Sequence, residues 1–221
     1  NDPERFHGVS PSKKNKENIN KIAFTEAFSQ SLIKASYHDK KVVAITAAMP
    51  GGTGLNKFQQ NFSDRYFDVG ICEQHAIGLA GGLSVNGWKP VCAIYSTFMQ
   101  RGYDQIFQEA CLGNNHIIFV MDRAGIVGDD GATHAGVFDI AYLRTFPNVV
   151  LMAPKDSYEL KEMLNFALKL NSPVGIRFPR DNCYNPFDDS NFQPIKMGKG
   201  EILCEGDDVI LMGYGITSMY C

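Results

Sequence analysis

The chain has 221 residues, 44% of them apolar and 20% charged, with 21 Lys and Arg set against 24 Asp and Glu. That is the balance of an ordinary globular protein, long enough for one large domain or for one domain and part of another. A formal net charge of -3 offers no basic field for nucleic acid, no apolar run approaches the roughly 18 residues of a membrane span, and the N-terminus has no signal-peptide core. Small molecules and proteins remain as partners.

Residues 1–21 are polar and rich in Lys, Asn and Pro, and read as a linker arriving from an N-terminal domain absent from this chain, apart from the less polar "ERFHGV". From Ile22 the spacing turns helical, with Phe24, Phe28 and Leu32 at i, i+4, i+8. "KVVAIT" reads as a buried strand, "RYFDVG" as a strand followed by a helix through Leu83, and "PVCAIYS" as a strand followed by a helix carrying Met99, Tyr103, Ile106, Phe107 and Ala110. "HIIFVMD" is the next strand, followed by the long loop "RAGIVGDDGATHAG". "VFDIAYLRTF" is expected to be a helix and "NVVLMAP" a strand. Asp156 and Glu159 then form a capping-box-like start for "SYELKEMLNFALKLN", and "PVGIRFP" closes the set.

Strands that are apolar throughout and separated by helices predict an α/β fold, a mainly parallel sheet with helices on both faces over residues 22–182. Right-handed crossovers would place the loops after the strands along one edge. Residues 183–221 read as a linker and the truncated start of a C-terminal domain, with "GEILCEGDDVILMGYGITSMY" as a strand pair, so the chain is expected to be a fragment. Its six cysteines include no CxxC pair and mostly lie in apolar runs, which predicts reduced core thiols in a reducing compartment.

Four clusters could carry chemistry. Glu73 should fall in the first turn of its helix, where free N–H groups and the helix dipole favour a carboxylate; a plain structural role is common there, as it is for Gln74 and His75. Gly78, Gly81 and Gly82 with Ala76 and Ala80 would let another backbone approach and dehydrate Glu73, bringing it toward sharing a proton with a ring nitrogen. In "YSTFMQRGYDQ", Tyr95 ends a strand, and Phe98 and Arg101 lie i, i+3 on the helix; Phe98 could equally fill the core. In "DRAGIVGDDGATHAG", four glycines interrupt Arg123, Asp129, Asp130 and His134, as in a loop folded around a small polar ligand. A metal site is a weaker reading, since one histidine beside adjacent carboxylates is poor transition-metal spacing, and a solvated loop without function is the plain one. In "IRFPRDN", Arg180 lies just past the strand, placed to grip a phosphate or carboxylate.

From about Ile22 to Asn182 these motifs, with "AITAAMPGGTGL", resemble the pyrimidine-binding domain of thiamine diphosphate enzymes of the transketolase superfamily. Within it they are similar to the 1-deoxy-D-xylulose-5-phosphate synthases more than to transketolase or the pyruvate dehydrogenase beta subunit. The resemblance implies that Glu73 hydrogen-bonds the cofactor's aminopyrimidine and activates it, that Phe98 stacks on that ring and that Ile71 lines it. Tyr95, Arg101, Arg123, Asp130 and Arg180 would hold the donor-derived intermediate and the acceptor, with His134 and His7 near the reacting centre. The implied reaction condenses pyruvate with D-glyceraldehyde 3-phosphate, releases carbon dioxide and forms 1-deoxy-D-xylulose 5-phosphate, which feeds isoprenoid and thiamine synthesis. The family holds the cofactor's diphosphate and Mg2+ through a GDG motif in a preceding domain, and no GDG occurs here. The chain alone is therefore expected not to bind thiamine diphosphate tightly. A homodimer in a bacterial cytoplasm or a plastid-type organelle is also implied; another transketolase-like carboligase and a non-catalytic assembly domain are the alternatives.

Overall fold

The structure, a computed structural model, describes residues 21–185 and 194–221; of the linker expected over residues 1–21, His7 and all of 1–20 lie outside the described residues, and Lys21 belongs to the first strand. Strand β1 (Lys21–Ala23) is followed by the central strands β2 (Val42–Thr46), β3 (Tyr66–Asp68), β4 (Lys89–Tyr95), β5 (Ile118–Asp122), β6 (Val150–Met152) and β7 (Val174–Arg177). These six form one sheet in the order β3-β2-β4-β5-β7-β6, and every pairing is parallel. β1 pairs antiparallel with β8 (Asn182–Tyr184) as a separate two-stranded ribbon.

Alternation along the strands builds two cores, one on each face of the sheet. Val91 and Ala93 face a cluster with Phe24, Phe28 and Leu32 of α1 (Phe24–His38) and Phe58 of α2 (Leu55–Asn61). Cys92 and Ile94 join Ile77 and Ala80 of α3 (Glu73–Val85), Met99 of α4 (Ser96–Met99) and Ile106 on the other face. The chain moves outward from β2 to β3, then crosses back to β4, so the strand order reverses between β2 and β4. A crevice opens at such a point beyond the strand ends.

Four expectations change. The helix expected after β4 is broken: α4 is followed by a 3-10 turn at Gln100–Gly102, a short α5 (Tyr103–Gln105) and a π-helical turn at Ile106–Cys111. Gly102 sits off helical geometry at φ -101°, ψ 21°, and a Cβ there would come 2.1 Å from Cδ1 of Ile77, so contact with α3 outweighs a regular helix. The helix expected over 137–146 shrinks to α6 (Asp139–Leu143), and just beyond it the Thr145 hydroxyl donates to the Tyr142 carbonyl in its last turn. At α7 (Ser157–Ala167), Asp156 accepts from Glu159 N at 2.7 Å as expected, but the Glu159 carboxylate reaches back to Lys155 N rather than to the Asp156 amide.

The fourth is the strand pair expected after residue 200, which does not form. Ile202, Val209, Ile210 and Met212 are exposed, and Gly215–Tyr220 is a 3-10 turn. Among the described residues these apolar positions find no ladder partner, and without one an extended segment is not a stable strand. The cysteines are all unpaired; Cys92, Cys111 and Cys183 are buried core thiols, whereas Cys72, Cys204 and Cys221 are exposed.

Candidate active site

The crevice at the strand reversal is furnished by the segments after β2, β4 and β5. Tyr95, the last residue of β4, stacks on Phe98 with ring centroids 5.9 Å apart, and His134 stands edge-on to Phe98 at 5.3 Å. Burial pushes the Tyr95 hydroxyl's pKa up, with the nearby Arg123 cation opposing. Gly52, in the turn after β2, makes room for that hydroxyl, since a Cβ at position 52 would lie 1.7 Å from it.

Arg123 lies over the Tyr95 ring, its guanidinium carbon 4.1 Å from the ring centroid. Its Nη1 donates to the Gly52 carbonyl and to Asp122 Oδ1. Its Nε faces Asp130 Oδ2 at 3.5 Å without an aligned hydrogen bond, and both of those atoms are buried. Asp130 also pairs with Arg180, through its other oxygen. The loop between β5 and α6 is closed at its neck by reciprocal bonds between Gly125 and Gly136, each 2.8 Å, and Thr97 holds it by a 3.1 Å bond to the Thr133 carbonyl.

Glu73 opens α3, as the sequence predicts, and is 2% exposed. Arg101 Nε lies 3.2 Å from its Oε2, close enough for an ion pair, yet that oxygen receives no aligned hydrogen bond and is buried. Charge is balanced there, but hydrogen-bonding capacity is left over. Of the glycines of α3 only Gly81 is closely packed among the described residues, and by the Glu109 side chain rather than by the other backbone expected there; nothing lies within 4 Å of a Cβ built at Gly78 or Gly82.

The structure thus joins Tyr95, Phe98, Arg123, Asp130, His134 and Arg180 into one cluster and pairs Glu73 with Arg101. Ile71 stands apart, 77% exposed. Asp129 is exposed, and among the described residues no group of three His, Cys, Asp or Glu side chains could hold a metal ion. Sequence reasoning missed Asp122, at the end of β5, and the buried set in which Asp139 Oδ2 accepts from Arg177 Nε at 2.8 Å and from Ser96 at 3.0 Å. An acidic residue ending a fully apolar strand was the available signal for Asp122.

Residues 20–185 match the family described as "Transketolase, pyrimidine binding domain". The chain is 49% identical to a 1-deoxy-D-xylulose-5-phosphate synthase of Halothermothrix orenii over 96% of its own length and 34% of that protein's. It is 48% identical to 1-deoxy-D-xylulose-5-phosphate synthase 1 of Geobacter sulfurreducens, over 97% and 34%. The chain therefore spans about a third of these relatives. Among solved structures, one titled as a split gene transketolase, inactive beta4 tetramer, superposes with a TM-score of 0.77 at 28% identity, over 90% of this chain and 64% of that one.

Proposed function

The chain belongs to the transketolase pyrimidine-binding domain family, and from that premise we propose that the complete protein condenses pyruvate with D-glyceraldehyde 3-phosphate, releasing carbon dioxide and forming 1-deoxy-D-xylulose 5-phosphate. The observation that carries this reading is Glu73: a buried carboxylate at a helix start, charge-balanced by Arg101, with one oxygen still lacking a hydrogen bond. That orphaned oxygen fits a nitrogen of the cofactor's aminopyrimidine ring, and Phe98 offers an aromatic face for stacking. When bound, thiamine diphosphate supplies the nucleophilic carbon and the electron sink for decarboxylation.

Every other task falls to side chains. Glu73 holds or shares a proton at the ring nitrogen, and its dry site keeps water from competing for it. Arg123 and Arg180, tied together through Asp130, supply cationic donors suited to a phosphate. His134, edge-on to Phe98, lies within the same crevice and is assigned to proton transfer or orientation there. Ile71 is assigned to the cofactor's surroundings and His7 to the reacting centre, with Mg2+ and the diphosphate held by a preceding domain. Residues 22–182 would be the pyrimidine-binding domain, working as a homodimer in a bacterial cytoplasm or plastid-type organelle. Among the described residues no helix is long and apolar enough to cross a membrane.

The test is product formation by the complete protein from pyruvate and D-glyceraldehyde 3-phosphate, set beside a ketose phosphate donor in place of pyruvate. A preference for the ketose phosphate would transfer the assignment to another carboligase. Failure of both assays, with cofactor bound, would favour an assembly role. The solved relative titled as a split gene transketolase, inactive beta4 tetramer, supports working with the complete protein.

A further inference from the structure

Arg123 is held from several sides in the crevice, and Asp122, which bonds both its backbone and its side chain, has been given no role above. Arg123 has φ +59°, the left-handed region that side chains other than glycine rarely adopt. Asp122, the residue before it, is 1% exposed and sends one carboxylate oxygen to both ends of Arg123: Oδ1 accepts from the Arg123 backbone N–H at 2.7 Å and from its Nη1 at 3.0 Å. The second oxygen, Oδ2, accepts from the hydroxyl of Thr25 in α1 at 2.6 Å. Three donors therefore hold one buried carboxylate, and the carboxylate holds an otherwise unfavourable backbone conformation in place.

The guanidinium has two edges with different duties. Its inner edge, Nη1, is committed to Asp122 and to the Gly52 carbonyl. Its Nε is buried and faces Asp130 Oδ2 at 3.5 Å without an aligned hydrogen bond. Without Asp122, Nη1 would lose a charged acceptor and the strained backbone its amide bond, and the fork would be free to swing off Tyr95.

We propose that Asp122, backed by Thr25, is a positioning residue that aims Arg123 at the phosphate of the acceptor substrate. Asp122 touches no substrate and acts only through Arg123. This inference rests on the proposed condensation reaction, and its test is built to fail separately from it.

The experiment uses the complete protein with Asp122→Asn, Thr25→Val and Thr25→Ser, comparing kcat/KM for D-glyceraldehyde 3-phosphate with that for D-glyceraldehyde, the same acceptor without its phosphate. The wild-type preference for the phosphorylated acceptor should fall about tenfold in Asp122→Asn and several-fold in Thr25→Val, and return close to wild type in Thr25→Ser, which keeps the hydroxyl. A purely structural role would lower the thermal midpoint while leaving that preference unchanged, and this outcome overturns the proposal. Should Asp122→Asn not fold, the Thr25 pair alone decides, because Val and Ser separate the shape of threonine from its hydroxyl. A wild-type protein that makes no product sinks the proposed reaction instead.

Discussion

Glu73, at the start of α3, and Asp122, at the end of β5, are both buried carboxylates, 2% and 1% exposed, and each is paired with an arginine. They differ in how completely they are satisfied. Asp122 accepts from Thr25 on one oxygen and from the Arg123 amide and guanidinium on the other, so both of its oxygens already have donors. Glu73 has an ion pair at 3.2 Å and an oxygen without any aligned donor. A buried, unfilled acceptor costs stability, and a fold tolerates it where function needs it; a filled one serves as support. Burial pushes the Asp122 carboxyl's pKa up, with Arg123 and Thr25 opposing, so even the filled site is not free of cost.

The strongest way to break this comparison is Glu73→Gln in the complete protein. Turnover should fall by about 100-fold or more, the usual scale for loss of a group handling a proton, while the thermal midpoint holds or rises because an incompletely satisfied charge has gone. A fall of less than about tenfold, roughly 1.4 kcal/mol of barrier, would remove Glu73 from its assigned role.

Gly136→Ala comes next in size. A methyl there would stand 2.4 Å from Ser96 Cβ and 2.6 Å from the Arg123 carbonyl oxygen, so the loop neck or the Arg123 backbone has to shift. We expect a loss of about 1–3 kcal/mol in denaturant unfolding, together with a weaker preference for the phosphorylated acceptor. An unchanged unfolding midpoint would mean that the loop is not seated on the support around Arg123.

A partly exposed carboxylate supplies the lower limit of the scale. Glu26 pairs with Lys57 at 2.6 Å on the surface, and its hydrogen bond from Lys57 holds its pKa below the ordinary 4.5. The sign follows from linkage: this pair's contribution is present above about pH 4.5 and is lost as pH falls through the lowered value. Lys57→Met should therefore cost less than about 1 kcal/mol at pH 7, and less still at pH 3 or in high salt. A loss at pH 7 as large as that in Gly136→Ala would show that burial is not what separates these carboxylates.

Much of this was legible in the residues themselves. Continuous apolar runs split by helical spacing announced a parallel sheet, because strands covered on both faces cannot alternate with polar positions. Glu73 at a helix start and the glycine-punctuated loop carrying Asp130 and His134 were visible for the same kind of reason: turn chemistry and caps act over a few residues. The broken helix after β4 was not visible, since its interruption depends on Ile77, 25 positions before Gly102 in sequence but adjacent in space. Nor was the failure of residues after 200 to form strands, because a β-strand is stabilised by a ladder partner that its own sequence does not contain.

The sequence by itself determined the layered α/β architecture and which side chains lie at the strand ends, since periodicity and local backbone preference act over short range. Only the tertiary structure decided which of those side chains meet. Thr25 reaches Asp122 across 97 residues and Arg123 reaches Gly52 across 71, and such contacts arise where strand order reverses and packing brings distant turns together. Whether a buried carboxylate is filled or left open is a property of that three-dimensional neighbourhood.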